Sequence, residues 1–144
     1  MPARLEAARQ LGATHTVLAG DDVLTELREV LPGRTLSVID AVGTQESLDV
    51  ACSLSGIGAR IAVLGIPSHP LTVDLAGLLM RNVTLWTGLG DLGHMSELLD
   101  KIARGELDPT PMFSHRVSLE EIPAFYERLA AGDPSIVKVF VGMN

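Results

Sequence analysis

The amino-acid sequence predicts an α/β fold built around a parallel sheet, and three features of its 144 residues support that class. Short apolar runs with strand character alternate with helical patterns, which is typical of strands joined by helical crossovers. Each strand candidate is closed by glycine. Hydrophobic residues make up 47% of the chain but aromatic residues only 3%, so Leu, Val, Ile and Ala must form the core, as they do where helices cover a parallel sheet.

Two helices and one strand are predicted before the turn at residues 32–33. Periodic apolar residues indicate a helix over residues 3–12, which ends at a glycine. Residues 15–18 are a short strand candidate. Asp21 or Asp22 is predicted to cap a second helix that runs to about residue 31.

From residue 36 to residue 104, strands alternate with helices in the predicted pattern. Thr44 is the expected N-cap of the first of these helices, because its hydroxyl can accept a hydrogen bond from a first-turn amide. In chain order, the predicted elements are a strand over 36–41, a helix over 44–54, a strand over 60–65, an extended piece with a short helix over 71–79, a strand over 83–87 and a helix over 92–104.

The remaining residues are predicted to behave differently from the alternating part. Residues 108–111 form a proline-containing linker, a strand follows over 112–117, and Ser118 is expected to cap a helix over 119–131. A strand over 136–141 closes the chain. The predicted tail is therefore a strand-helix-strand unit.

Charge and cysteine content exclude several classes of protein. The formal net charge is -7 and no cluster of Lys and Arg is present, so nucleic acid is not an expected partner. No apolar run approaches the ~18 residues that a membrane span needs, and no secretory signal is visible. Cys52 is the only cysteine, which excludes an intrachain disulfide and a cysteine-rich zinc site and favours the cytoplasm. It is predicted to be a small buried residue.

The four histidines do not form a recognisable metal site. His15, His69, His94 and His115 lack the His-x-x-x-His spacing, and no acidic or cysteine partner recurs around them. We therefore expect structural or exposed roles for them and no metal-ligating residue in this chain.

Five segments of the sequence carry a resemblance to a known family: residues 4–13, 40–43, 60–67, 107–122 and 138–141. They include Asp-Ala-Val-Gly at 40–43 and Arg-Ile-Ala-Val-Leu-Gly-Ile-Pro at 60–67. Their order and spacing resemble the second half of the zinc-type, medium-chain alcohol dehydrogenases, which include the threonine and polyol dehydrogenases, over essentially the whole chain.

The resemblance implies a partial Rossmann domain that lacks its first strands. It assigns residues 1–107 to an NAD(P)-binding domain and residues 108–144 to an extension that returns to the catalytic domain in the family. The complete fold has strand order 3-2-1-4-5-6. With two strands absent, the strand at 15–18 either pairs directly with that at 36–41, or another copy supplies strands, or the sheet is only marginally stable. We favour the closed order 3-4-5-6, which a right-handed crossover permits.

The resemblance also implies a cofactor site, and it assigns no catalytic residue to this chain. Gly43, Gly65 and Gly88 follow the carboxyl ends of predicted strands, where open parallel sheets bind their ligands. The alternative is that these glycines belong to ordinary turns that end strands. Leu64-Gly65-Ile66 and Leu89-Gly90 match segments whose backbone lies along the nicotinamide half of NAD in the family. Two basic residues also match family positions, Arg4 near the adenosine ribose and Lys138 near the pyrophosphate. For these two, a solvated surface charge is the alternative. The implied NAD or NADP contacts are Val42, Gly43, Leu64, Gly65, Ile66, Leu89, Gly90, Arg4 and Lys138.

The implied function is that of the C-terminal part of a zinc-type NAD(P)-dependent alcohol dehydrogenase that is not active alone. Both the zinc ligands and the glycine-rich phosphate turn of the family fall in a part of its chain that this sequence does not cover. The alternative is a non-catalytic remnant that serves as an oligomerisation module or a weak nucleotide-binding module. In the family the edge strand at 83–87 pairs between subunits, so a homo-oligomer is expected, and a small alcohol is the substrate only of a complete enzyme.

Overall fold

The computed structural model of the protein describes residues 2–31, 33, 35–89 and 92–143. The chain divides into a central unit, residues 19–92, and a terminal unit formed by residues 1–18 with 93–144. The helices are α1 (Pro2–Gln10), α2 (Val23–Val30), α3 (Gln45–Leu54), α4 (Leu75–Met80), α5 (Met95–Ala103) and α6 (Ile122–Ala130), with 3-10 turns at Leu92–His94 and Thr110–Met112. The strands are β1 (Thr35–Asp40), β2 (Ser55–Val63), β3 (Thr84–Thr87), β4 (Phe113–Ser118) and β5 (Lys138–Gly142).

The central unit contains a three-stranded parallel sheet in the order β1-β2-β3. Ile61 of β2 is paired with Val38 on one side and with Leu85 on the other, so β2 is the middle strand. Helices lie between consecutive strands in the chain, as parallel pairing requires. The predicted α/β class with parallel strands is confirmed.

The core of the central unit lies between the sheet and two helices. Ala51 of α3, Ile61 of β2 and Leu78 of α4 are buried together. Cys52 packs against this cluster but is only partly buried, and the burial raises the pKa of its thiol. The prediction of a core-filling cysteine is therefore confirmed in position but not in full burial.

Two predicted helix caps in the central unit have different outcomes. The Thr44 hydroxyl accepts a hydrogen bond from the Ser47 amide at 3.2 Å, and the Ser47 hydroxyl accepts one from the Thr44 amide at 3.0 Å. This reciprocal pair satisfies two amides that the helix itself leaves free, which confirms the predicted N-cap. Asp22 precedes α2 as expected, but its side chain makes no capping hydrogen bond.

The strand predicted at residues 15–18 is wrong, and so is the closed order 3-4-5-6 that depended on it. The structure has no strand there, and the central sheet consists of β1, β2 and β3. A strand needs a neighbouring ladder to satisfy its backbone groups. Within the described residues, no strand pairs with residues 15–18.

Two predicted boundaries also move. β2 begins at Ser55 rather than at residue 60, and its pairing with β1 is irregular because Thr35 faces Ser55 whereas Ser37 faces Arg60. In the terminal unit, α6 begins at Ile122. Ser118 does not cap it, because the helix begins four residues later and Glu121 occupies the N-cap position. The Ser118 amide donates to Glu121 Oε2 at 2.7 Å in the turn before the helix.

The terminal unit contains the predicted strand-helix-strand arrangement, in which β4 and β5 pair in parallel. Phe125 of α6 and Ile136 are buried in this unit. Hydrogen bonds from Ser135 and Arg128 hold the pKa of the Asp133 carboxyl far below its usual range. The division of the chain at residue 107 stays a prediction. Among the described helices, none has the length and apolar character that crossing a membrane requires.

Candidate functional site

The turns that follow β1 and β2 cross in direct backbone contact. A Cβ atom placed on Gly43 would lie 2.5 Å from the carbonyl carbon and oxygen of Gly65. A Cβ atom on Gly65 would collide in turn with the Gly43 nitrogen and the Val42 carbonyl carbon. Gly43 also has a φ of +79°, a conformation that disfavours any side chain. Both glycines are therefore required by the crossing of the two turns and not only by strand termination.

A buried carboxylate organises this crossing. Asp40, the last residue of β1, is only 5% exposed. Its Oδ1 accepts hydrogen bonds from the amides of Val42 at 2.9 Å and Gly43 at 3.2 Å. Its main-chain carbonyl accepts from the amides of Leu64 at 2.8 Å and Gly65 at 3.1 Å. One residue therefore holds the backbone of both turns.

An apolar cavity of about 450 Å³ opens beside the crossing, at the carboxyl ends of β2 and β3. A volume of this order is usual for small-molecule sites. Ile66 and Leu89 are 78% and 79% exposed, so their side chains are available to a ligand. Four of the sequence-predicted contacts meet here. The lining residues are Leu48, Val63, Leu64, Gly65, Ile66, Pro67, Leu71, Val73, Leu85, Thr87, Gly88 and Leu89.

The far wall of this cavity is held by a side chain that sequence reasoning did not single out. Gln45, the first residue of α3, donates from Nε2 to the Thr72 carbonyl at 2.9 Å. Its Oε1 accepts from the Thr72 amide at 2.8 Å. The amide side chain thus pairs with the Thr72 backbone as a neighbouring strand would, and it fixes the segment that carries Leu71 and Val73.

Val42 belongs to a second groove rather than to this cavity. It is 65% exposed and lines a groove of about 530 Å³ that also includes Ile39 of β1 and Glu46 of α3. The Glu46 carboxyl accepts hydrogen bonds from the Glu46 amide and from the Thr44 side chain, and these bonds lower its pKa. The anionic side chain at the first turn of α3 makes this helix N-terminus a poor site for a phosphate group.

Two other predicted contacts, Arg4 of α1 and Lys138 of β5, belong to the terminal unit, and both are exposed. Lys138 pairs with Phe113, and its carbonyl accepts from the Ser114 hydroxyl at 3.1 Å. Gly90 lies outside the described residues. The structure therefore brings Leu64, Gly65, Ile66 and Leu89 together without adding either cation to their unit.

Residues 88–93 read Gly-Leu-Gly-Asp-Leu-Gly, which is the glycine spacing of a dinucleotide phosphate turn. The pattern follows a strand, β3, as the motif does. The predicted contacts Leu89 and Gly90 lie within it, although the prediction did not identify it as a phosphate turn. Gly88 has another reason to lack a side chain, because an added Cβ would lie 2.7 Å from the Trp86 ring. Asp91 would oppose an anion in the turn, and it lies outside the described residues. Packing therefore explains Gly88 without a phosphate.

Zinc ligation finds no support in the described part of the chain. No group of three His, Cys, Asp or Glu side chains converges there. His115 instead accepts or donates to the Ser114 hydroxyl at 2.9 Å and packs edge-on against Phe125. Its contacts are structural, as expected from the sequence.

Comparison with known proteins assigns most of the chain to one family. Residues 1–104 match the family described as zinc-binding dehydrogenase. An alcohol dehydrogenase of Cupriavidus necator is 28% identical over 144 residues, which cover 96% of this chain and 39% of the relative. The chain thus spans about two fifths of the length of the curated relatives it matches.

Solved structures give the same result for the fold. A zinc-dependent alcohol dehydrogenase from Streptococcus pneumonia superposes with a TM-score of 0.86 at 28% identity, over 100% of this chain and 43% of that one. A short-chain alcohol dehydrogenase of Escherichia coli CFT073, solved with NADH, gives 0.87 at 20% identity over 99% and 42%. The latter likeness shows the fold alone. The Rossmann-like arrangement of the C-terminal region of alcohol dehydrogenases is shared.

Proposed function

Because this chain belongs to the zinc-binding dehydrogenase family, we propose that it is the C-terminal part of a zinc-type, NAD(P)-dependent alcohol dehydrogenase. Its own contribution is one wall of the nicotinamide site. The observation that carries the proposal is the apolar cavity beside the crossing turns, where Leu64, Gly65, Ile66 and Leu89 meet. The single cysteine supports a cytoplasmic location.

The wall offers shape and backbone rather than charge. Of the described side chains that line the cavity, Thr87 alone is polar and none is cationic, so a planar ring is a better occupant than an anionic phosphate. Gly65 lets the backbone approach a ligand closely, and apolar side chains such as Ile66 exclude water from one face of the ring. A bound nicotinamide would supply the hydride acceptor or donor for alcohol chemistry. Orientation of that ring is the step we assign to these residues.

The described residues do not fit the zinc ion of the family. Because no three potential ligands converge among them, we derive no step through zinc. The proton and hydride steps need groups that the described residues do not supply, so the chain acts as a part of an enzyme and not as a complete one.

We expect the purified chain to oxidise no alcohol. With NAD or NADP, added zinc and a panel of small primary and secondary alcohols, formation of the reduced cofactor should not exceed the rate without protein. The physical reason is that no set of zinc ligands converges in the part of the chain that the structure describes. Alcohol-dependent and zinc-dependent reduction by homogeneous protein would show that this chain builds a catalytic centre of its own.

We expect the chain to bind NAD with millimolar affinity, or about 4 kcal/mol, against about 8 kcal/mol for a micromolar site. Calorimetry at micromolar concentrations should detect no heat. At millimolar NAD, saturation transferred from the protein should reach the nicotinamide protons more strongly than the adenine protons. Ile66→Lys should weaken that transfer, because it puts a positive charge beside the cationic nicotinamide ring of NAD.

Ile57→Lys is the matched control, since Ile57 is also exposed and lies outside the cavity. If both variants weaken the transfer equally, or if adenine receives more saturation than nicotinamide, the cavity is not the nicotinamide wall.

Self-association through β3 is the second part of the proposal. β3 is the last strand on one side of the described sheet, and all four of its residues are exposed. An unpaired strand edge favours addition of another strand. We therefore propose a homo-oligomer in which the edge at residues 83–87 pairs with the same edge of a second copy.

The alternative function is an interaction module without catalysis, and the exposed apolar side chains of α4 and β3 favour it. Leu75, Leu79 and Met80 of α4 are largely exposed, as is Trp86 of β3. Exposed apolar groups in such number are typical of surfaces that bind other proteins. Oligomerisation without measurable NAD contact at millimolar concentration would select this function over the first.

A further inference from the structure

Asp40 differs from other carboxylates of the central unit in its burial and in the number of groups it binds. It is the only buried acidic residue among those described. Its Oδ1 accepts from two consecutive amides, those of Val42 and Gly43. Its Oδ2 accepts from the Ser47 hydroxyl at 3.0 Å. A buried carboxylate is retained only where hydrogen bonds replace its lost hydration.

The first consequence of these bonds is the shape of the turn after β1. The carboxylate folds back on its own chain, so that the amides of Val42 and Gly43 point toward it. This bonding stabilises the left-handed conformation of Gly43. The Ser47 bond ties the same carboxylate to the first turn of α3, next to the Thr44 cap.

The second consequence reaches the neighbouring turn. Gly43 lies in backbone contact with Gly65, so a shift of the first turn must displace the second. The Leu64 and Gly65 amides also bond to the Asp40 carbonyl. The position of Leu64 to Ile66, which form part of the apolar cavity, therefore depends on the geometry at Asp40.

We propose that Asp40 is a positioning residue for the cofactor wall, whose carboxylate fixes the turn at Val42 and Gly43 and, through the contact of Gly43 with Gly65, also fixes Leu64 to Ile66. The role in cofactor binding rests on the proposed function. The coupling between the two turns does not, because it is a property of the chain without ligand.

Amide hydrogen exchange in the ligand-free chain tests the coupling residue by residue. In Asp40→Ala, exchange at Val42 and Gly43 should become faster by at least about tenfold, or about 1.4 kcal/mol, because these amides lose the carboxylate that accepts from them. Leu64 and Gly65 keep the Asp40 main-chain carbonyl as their acceptor, so faster exchange there by a similar factor would come from displacement of their turn by Gly43. Exchange at Ile61, in the core, should change much less. That pattern distinguishes local opening from a general loss of stability.

Two further variants keep the test decisive if Asp40→Ala folds poorly. Asp40→Asn retains an oxygen that can accept from the two turn amides, so it should keep exchange at Val42 and Gly65 close to the wild-type rate. Ser47→Ala removes the bond to Oδ2 together with the capping bond from the Thr44 amide, but it keeps both bonds to Oδ1 and should leave the Gly65 amide protected.

The proposal is overturned if Asp40→Ala accelerates exchange at Val42 and Gly43 but not at Leu64 and Gly65, because the carboxylate would then hold its own turn alone. It is also overturned if Asp40→Asn loses as much protection as Asp40→Ala. A separate titration of the wild-type chain with NADH tests the proposed function. Failure of that titration leaves the exchange result, and hence the coupling, to be judged by itself.

Discussion

Replacing Gly43 with alanine should lower the free energy of unfolding of the central unit by about 3 kcal/mol. Two costs add at this position. The left-handed φ of +79° is unfavourable for alanine, and the new Cβ would lie 2.5 Å from the Gly65 carbonyl group. The obstructing atoms belong to the backbone, so the clash is relieved only if one turn moves away from the other.

Gly58→Ala is a matched control for this prediction. Gly58 has a φ of +74°, but an added Cβ would meet nothing within 4 Å, so only the conformational cost of about 1 kcal/mol applies. Denaturant unfolding followed by the fluorescence of Trp86, the one tryptophan of the chain and a residue of β3, measures both variants. Equal destabilisation by Gly43→Ala and Gly58→Ala would show that the turns are not in contact in solution.

Leu85→Lys should convert the proposed homo-oligomer into a monomer or an aggregate. Leu85 is 37% exposed in β3, and a lysine there would bring like charges together across two paired edges. Sedimentation velocity measures the change directly. Because Leu85 also lines the apolar cavity, the same variant should weaken saturation transfer to nicotinamide.

The control for the edge is Ile39→Lys, which puts the same charge on the opposite outer strand of the described sheet. Ile39 of β1 is 69% exposed, so the substitution costs little core packing. We expect this variant to keep the oligomeric state of the wild type. If Leu85→Lys keeps it as well, or if Ile39→Lys is the variant that abolishes assembly, pairing through β3 is wrong.

Sequence patterns predicted those elements whose stability is local. Thr44 caps α3 as expected because its partner, Ser47, is three residues away and the bond depends on helix geometry alone. The strand at residues 15–18 failed for the opposite reason. Its apolar pattern is compatible with a strand, but a strand also needs a partner, which no pattern within four residues can supply.

In the candidate site, too, features with a local origin could be predicted and features that depend on distant segments could not. That Gly43 and Gly65 follow strands could be predicted, and parallel strands place such turns at one edge of the sheet. The backbone contact between these two glycines could not be predicted, because it depends on the register of β1 against β2. Asp40 was part of the Asp-Ala-Val-Gly motif but was not predicted as a site residue. An aspartate at a strand end before a glycine turn is a signal that could have identified it.

The role of Gln45 had no comparable signal. A glutamine at the start of a helix is ordinarily solvent-exposed, and only the fold places Thr72 where both of its backbone groups can pair with the amide side chain. Bonds between distant segments, which fix the wall of the cavity, therefore had to come from the structure.

The central claim is that this chain carries the nicotinamide wall of a dehydrogenase, and amide chemical-shift mapping tests it most directly. The labelled chain is titrated with NADH and, in parallel, with adenosine diphosphate ribose, which lacks the nicotinamide. We predict shifts at Leu64, Gly65, Ile66 and Leu89 with NADH, a dissociation constant in the millimolar range, and no shifts at these amides with adenosine diphosphate ribose. Equal shifts with both ligands, no shifts at these four amides, or a micromolar constant that points to a phosphate anchor such as residues 88–93 would contradict the account.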